Sequence, residues 1–120
     1  VSDEQETFPT GAKRSSLRAR YDLLTPIGLR RVAEAAADGV ERYEPYNCER
    51  GLGVLVYLNH AIAHIYAHLG GDRSEDHLGH AAWNLLFACH SEEVSPELND
   101  GTMRGPGCRP PSKKNSELNR

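Results

Sequence analysis

Residues 59–90 read NHAIAHIYAHLGGDRSEDHLGHAAWNLLFACH, and all six histidines of the chain fall inside them. His60, His64 and His68 recur at four-residue steps, so an α-helix places them on one face. Gly70-Gly71 breaks the pattern. His77, His80 and Asn84 then follow at steps of three and four, with Asp76 one turn ahead of His80. Two helices joined by so short a turn are antiparallel neighbours. The spacing therefore predicts that His64 and His68 approach Asp76, His77 and His80. Bundle interiors hold metals in this way, with ligands projecting inward from facing helices. Imidazole with carboxylate suits Zn, Mn, Fe or Ni, whereas a carboxylate-rich subset with open water positions suits Mg or Mn. A competing explanation needs no chemistry: Glu75 and Asp76 follow Ser74, a natural N-cap, where the helix dipole favours negative charge. Capping alone does not account for histidines in register on two adjoining helices. His60 and His90 are the bystanders of the set.

Working outward, Leu55, Leu58, Ile62, Ile65 and Leu69 recur at the helical period over residues 54–69. Leu78, Ala81, Ala82, Leu85, Leu86 and Ala88 do so over residues 75–91, with Trp83 and Phe87 widening the apolar band. Upstream, Thr25-Pro26 reads as N-cap and first helical position. A helix over residues 26–43 is expected to bury Ile27, Leu29, Val32, Ala33, Ala36 and Val40. The intervening YEPYNCERGLG, residues 43–53, is a loop by its Pro, Asn and Gly content. Its Tyr43 and Tyr46 either cover a core edge or stack on a flat ligand. Glu41-x-x-Glu44 is either a solvated helix end or a clamp for a divalent ion.

The fold expected is all-α, a small bundle of three main helices. A polar arm over residues 1–19 precedes a helical domain over residues 20–94, and an irregular tail over residues 95–120 follows. No strand pattern or internal repeat is visible. The arm carries Lys13, Arg14, Arg18 and Arg20. It is either a solvated segment or one that folds over a phosphate, to which arginine offers a planar fork of donors. Only about 70 residues carry a helical pattern, a thin core by size, so completion of the bundle by homo-oligomerisation is expected.

The 120-residue length implies one domain, and 38% apolar with 26% charged residues is polar but not disordered. A net charge of −3 argues against a nucleic-acid polymer as partner. No apolar run approaches membrane-spanning length, the first residues have no apolar signal core, and Cys48, Cys89 and Cys108 form no paired framework. A cytoplasmic protein with free thiols is the expectation.

Several segments together resemble one family. Thr10-Gly11-Ala12-Lys13-Arg14 resembles a T-G-A-x-R start, and Arg20-Tyr21-Asp22-Leu23-Leu24-x-Pro26 an R-Y-D-L-(I/L)-x-P entry. Gly39, Tyr43, Asn47, Glu49 and Gly51 resemble a G-x-x-x-Y…N-W-E-x-G loop. Ala63-His64, Gly71-Asp72 and Asp76-His77-Leu78-x-His80-Ala81-Ala82-Trp83-Asn84 resemble an R-H…G-(E/D)…H-L-x-H-A-x-W-N core. This is similar to the N-terminal domain of phage and bacterial dATP/dGTP diphosphohydrolases, distant relatives of the MazG-like all-α nucleotide pyrophosphohydrolases. Cys48 stands where the loop has Trp, and Ala63 where the core has Arg. Glu41-x-x-Glu44 fits the first half of the MazG-like E-x-x-E…E-x-x-D signature, while Asp72-x-x-Glu75 reverses the second.

The resemblance implies hydrolysis of a deoxynucleoside triphosphate, dATP or dGTP among the candidates, to monophosphate and pyrophosphate in a bacterial or phage-infected cell. It implies a divalent metal, Mg or Mn first, with Zn, Fe or Ni as alternatives. Carried over residue by residue, His64, Asp76, His77 and His80 are the metal set, with His77 either ligand or base and Asn84 orienting a ligand or water. Arg14 and Arg20 are phosphate contacts, and Tyr43 and Asn47 belong to the substrate loop. The alternative is a non-catalytic metal-binding or interaction module of phage origin.

Overall fold

The structure, a computed structural model, describes residues 4–42 and 52–98. A short hairpin of β1 (Gln5–Thr7) and β2 (Lys13–Ser15) precedes three helices, α1 (Pro26–Arg42), α2 (Val54–Leu69) and α3 (His77–Val94). One-turn 3-10 segments stand at Tyr21–Leu23 and Pro96–Leu98. The all-α class holds, with three main helices.

The hairpin is a feature that the sequence pattern does not announce. Its strands pair antiparallel with Glu6 opposite Arg14, and every residue of both is exposed. Without a buried face there is no apolar alternation to read. The turn supplies the order instead. Gly11 takes φ +88°, its N–H donates to the Phe8 carbonyl, and the Phe8 N–H donates to Ala12.

Helix α3 is the hub. It packs along α2 most extensively and along α1 second, and these are the main helix–helix contacts among the described residues. On α2 the buried or half-buried Val54, Tyr57, Ala61, His64 and His68 follow at alternating steps of three and four. On α3, buried His77, Ala81, Asn84, Ala88 and Ser91 do the same. These are the seam positions of an antiparallel helix pair, close to the 3.5-residue repeat of coiled coils. The seam is apolar at one end, where Val54, Tyr57 and Ala88 pack with Leu58, Trp83 and Phe87. The Trp83 and Phe87 ring centroids are 4.6 Å apart, and the Ser91 hydroxyl closes this end by donating to the Leu52 carbonyl at 2.6 Å. The other end is polar and holds His64 and His77.

The apolar stripes sit differently from expectation. On α1 it is Ala35 that is buried, with Val32 and Ala36 half-buried, while Ile27 (64%), Leu29, Ala33 and Val40 are exposed. On α2, Ile62, Ile65 and Leu69 (73%) face outward. On α3, Leu78, Leu85 and Leu86 do, whereas Ala81, Ala82 and Ala88 turn inward as expected. Small residues allow the backbones to approach, so they occupy the seams and displace the larger side chains to the flanks.

Caps explain the helix boundaries. The Thr25 hydroxyl accepts from Gly28 N–H at 3.2 Å and starts α1. Gly71 takes φ +93° after α2, as the Gly-Gly break requires. The start of α3 falls later than Ser74, because Asp76 is its N-cap and accepts from Gly79 N–H at 3.0 Å. The Ser74 N–H goes instead to the Asp72 carboxylate at 2.8 Å. Asp76 also receives the Arg31 guanidinium from α1, Nε to Oδ2 at 3.0 Å and Nη2 to Oδ1. Arg31 holds its carboxyl well below the usual carboxylate range, at about 2.

Two outcomes follow from this junction. A Cβ at Gly79 would lie 3.0 Å from the Arg31 carbonyl and closer still to the Asp76 carboxylate. Gly79→Ala therefore separates α1 from α3, and denaturant unfolding should show a loss of about 1–3 kcal/mol. The Asp76 carboxyl is depressed from 3.8 to about 2 in the folded chain. Its charge thus stabilises the fold above pH 4, and the contribution fades as pH falls toward 2. The pair is partly exposed, so solvent screens it and its share of the stability is small. Asp76→Asn, which keeps the cap, should lose this acid-dependent component in thermal melts between pH 5 and 2.

Candidate metal centre

The polar end of the α2–α3 seam gathers four groups. His64 comes from α2, His77 and His80 from the first turn of α3, and Glu75 from the residue just before the Asp76 cap. The Glu75 Oε1 atom lies 3.8 Å from His64 Nδ1, 4.0 Å from His77 Nδ1 and 3.9 Å from His80 Nε2. It is buried and has no hydrogen-bond partner. An unpaired buried polar oxygen costs about 1–3 kcal/mol, so such an atom calls for a partner that these imidazoles do not supply. His64, Glu75 and His80 each offer one donor atom, all within 4.8 Å of one another, the spacing of a cation site.

His77 stands at the flank of this trio and is itself buried. Its Nε2 is 3.0 Å from Asp72 Oδ2, and its Nδ1 is 2.8 Å from His64 Nδ1. With the Nε2 proton donated to Asp72, the Nδ1 lone pair of His77 faces His64. Hydrogen bonds from Ser74 and then from His77 hold the Asp72 carboxyl below its usual range. His80 Nε2 is 3.1 Å from Asp38 Oδ2 on α1, and its ring stacks on His64 with centroids 5.2 Å apart. Burial and then the neighbouring His80 push the His64 pKa down. A neutral imidazole is the form that can ligate a metal or accept a proton.

The other expected site residues fall elsewhere. The Asp76 carboxylate faces Arg31 and the Gly79 N–H, and it is Glu75 that turns toward the imidazoles. Asn84 is buried in the seam one turn beyond His80, and its Nδ2 donates to the His80 carbonyl at 2.8 Å. The His68 carbonyl accepts from Arg73. His60 and His90 are exposed. Arg14 stands exposed on β2, and the Arg20 fork is engaged by Asp22 through bonds of 2.8 and 2.7 Å. Tyr43, Glu44, Tyr46 and Asn47 lie outside the described residues, and Glu41 is exposed at the end of α1.

Glu75 is the residue that helical periodicity passes over, because it precedes the helix and belongs to no stripe. The available signal is the cap. Once Asp76 is bound to Gly79 N–H, the residue before it is the first free to turn back across the short connection toward α2.

No helix among the described residues is long and apolar enough to cross a membrane. No curated protein and no solved structure matches the chain. A family model does, described as dATP/dGTP diphosphohydrolase, N-terminal, over residues 9–101. That span runs from the hairpin turn through all three helices and takes in every member of the His64–Glu75–His77–His80 cluster. The chain belongs to the dATP/dGTP diphosphohydrolase N-terminal domain family, whose name is that of a nucleotide hydrolase.

Proposed function

We propose that this chain is a divalent-metal-dependent nucleotide pyrophosphohydrolase that converts a deoxynucleoside triphosphate, dATP or dGTP by the family's name, to monophosphate and pyrophosphate. The observation that carries the reading is the buried, unpartnered Glu75 Oε1 facing three imidazole nitrogens at 3.8–4.0 Å. This donor set fits a cation, and His64, Glu75 and His80 would hold it. A divalent ion bound there supplies charge to grip phosphate oxygens and lowers the pKa of bound water.

The chain's own residues do the rest. His77, fixed by Asp72 with its proton on Nε2, presents Nδ1 as the base; an ion held by His64 would displace the Nδ1 proton that His64 otherwise donates to it. The water oxygen forms a bond to the α-phosphorus, its proton passes to His77 Nδ1, and the bridging oxygen leaves with its electron pair on pyrophosphate. Asp72 then stabilises the imidazolium that results. Asn84 restrains the first turns of α3 through the His80 carbonyl. Arg14, and Arg20 after exchange of Asp22, are the phosphate contacts, with Tyr43 and Asn47 at the base and sugar. We place the protein in the cytoplasm with its nucleotide substrate.

A second reading, a non-catalytic metal-binding module, draws support from one fact: the matching family model describes an N-terminal part. A homo-oligomer also belongs to the proposal. Ile62, Ile65, Tyr66 and Leu69 expose a continuous apolar stripe on α2, while no fully buried aliphatic side chain exceeds valine among the described residues.

Pyrophosphate release from each dNTP, with Mg, Mn or Zn present, tests the activity. His77→Ala should lower turnover by roughly 100- to 10,000-fold without changing metal content. Metal-loaded protein that turns over no triphosphate would leave the binding-module reading. Light scattering on the full chain should give a mass above one chain, and Ile62→Gln with Leu69→Gln should return it to one. A wild-type monomer at working concentrations would contradict the assembly.

A further inference from the structure

We infer that the His64–Glu75–His80 site selects a transition metal of the Zn, Fe, Co or Ni class and does not hold Mg as its resident ion. The inference rests on the metal-centre reading above and does not depend on hydrolysis. Two imidazole nitrogens and one carboxylate oxygen make up the set. Mg demands near-octahedral oxygen ligation and gives up its waters reluctantly, whereas imidazole suits the borderline metals. Two histidines with one glutamate is also the ligand pattern of catalytic zinc sites that keep a position open for water.

Among the described residues, the other carboxylates near this set already have partners. Asp76 is held by Arg31 and by the Gly79 N–H. Asp72 is held by Ser74 N–H and by His77. Asp38 reaches His80 Nε2 from α1 but stands outside the trio. What remains at the centre, among the described residues, is one carboxylate oxygen, buried and without a hydrogen-bond donor. The ring nitrogens that face it come from helices packed along a seam, and a bound ion would replace the hydrogen bonds that Asp38 and His77 make to those same nitrogens. A Mg ion then reaches the protein only as a companion of the nucleotide's phosphates.

The test is metal selection by the full chain, read without any activity assay. Protein stripped with a chelator is exposed to an equimolar mixture of Mg, Mn, Fe, Co, Ni and Zn, then desalted and analysed for metal. The expected result is one equivalent of transition metal and no Mg, with visible absorption bands when Co alone is loaded. Glu75→Gln, which keeps volume, and His80→Asn, a smaller polar replacement, both checked for helicity by circular dichroism, should weaken Co affinity beyond the roughly 10–100-fold typical of losing an outer partner. His60→Ala and His90→Ala should leave it unchanged. Stoichiometric Mg in the stripped and reloaded protein would overturn the inference. So would transition-metal binding that survives in well-folded Glu75→Gln and His80→Asn, which would mark scattered surface histidines as the binders. Bound Zn or Co without dNTP hydrolysis supports the inference while removing the hydrolase reading. Hydrolysis with Mg and no transition-metal uptake does the reverse.

Discussion

The carboxylate of Asp76 is the constraint on which the arrangement turns. It caps α3 through Gly79, receives the guanidinium of Arg31 from α1, and occupies the space that a side chain at position 79 would need. With Asp76 committed there, α3 can begin nowhere but His77. The first helical residue then enters the seam, its neighbour one turn on reaches Asp38, and Glu75 is turned back toward His64. Moving the cap by one residue would rotate each of these groups by about 100° around the helix. The carboxylate expected to hold metal therefore sets the geometry of the cluster through the cap, and the carboxylate beside it supplies the donor.

The seam of α2 and α3 divides its work along its length. Its apolar end, Val54 and Tyr57 against Ala88 with Trp83 and Phe87 beside them, supplies the packing. Its polar end holds rings that hydrogen-bond to carboxylates, His77 to Asp72 and His80 to Asp38. Burial, and then the neighbouring His80, keep His64 neutral more readily than water would.

Much of this was legible in the sequence, for reasons that differ from one element to the next. The three helices follow from period and punctuation, Thr25-Pro26, Gly70-Gly71 and the polar run 72–76, although α3, expected over residues 75–91, runs from His77 to Val94. The meeting of His64 with His77 and His80 follows from their spacing and the short connection. The rotation of the helices about their axes did not follow. Leucine and isoleucine stripes predict which face is apolar, and in this chain Ala35, Ala61, Ala81 and Ala88 lie in the contacts while Ile27, Ile62 and Leu86 flank them. Close backbone approach favours alanine and glycine, which carry almost no hydropathic signal. Glu75 was invisible to periodicity because it lies off the helix, and the β1–β2 hairpin because it buries nothing.

The proximity of the ligands along the chain has its own consequence. His64, Glu75, His77 and His80 all lie on one hairpin and its connection, so the contacts that assemble the centre are local in sequence. Closing so short a loop costs little entropy, and low-order contacts form early when a chain folds. Helix α1 contributes bracing through Asp38 and Arg31 but none of the inward-facing donors. An ion caught between α2 and α3 would accordingly clasp two helices that are already neighbours along the chain.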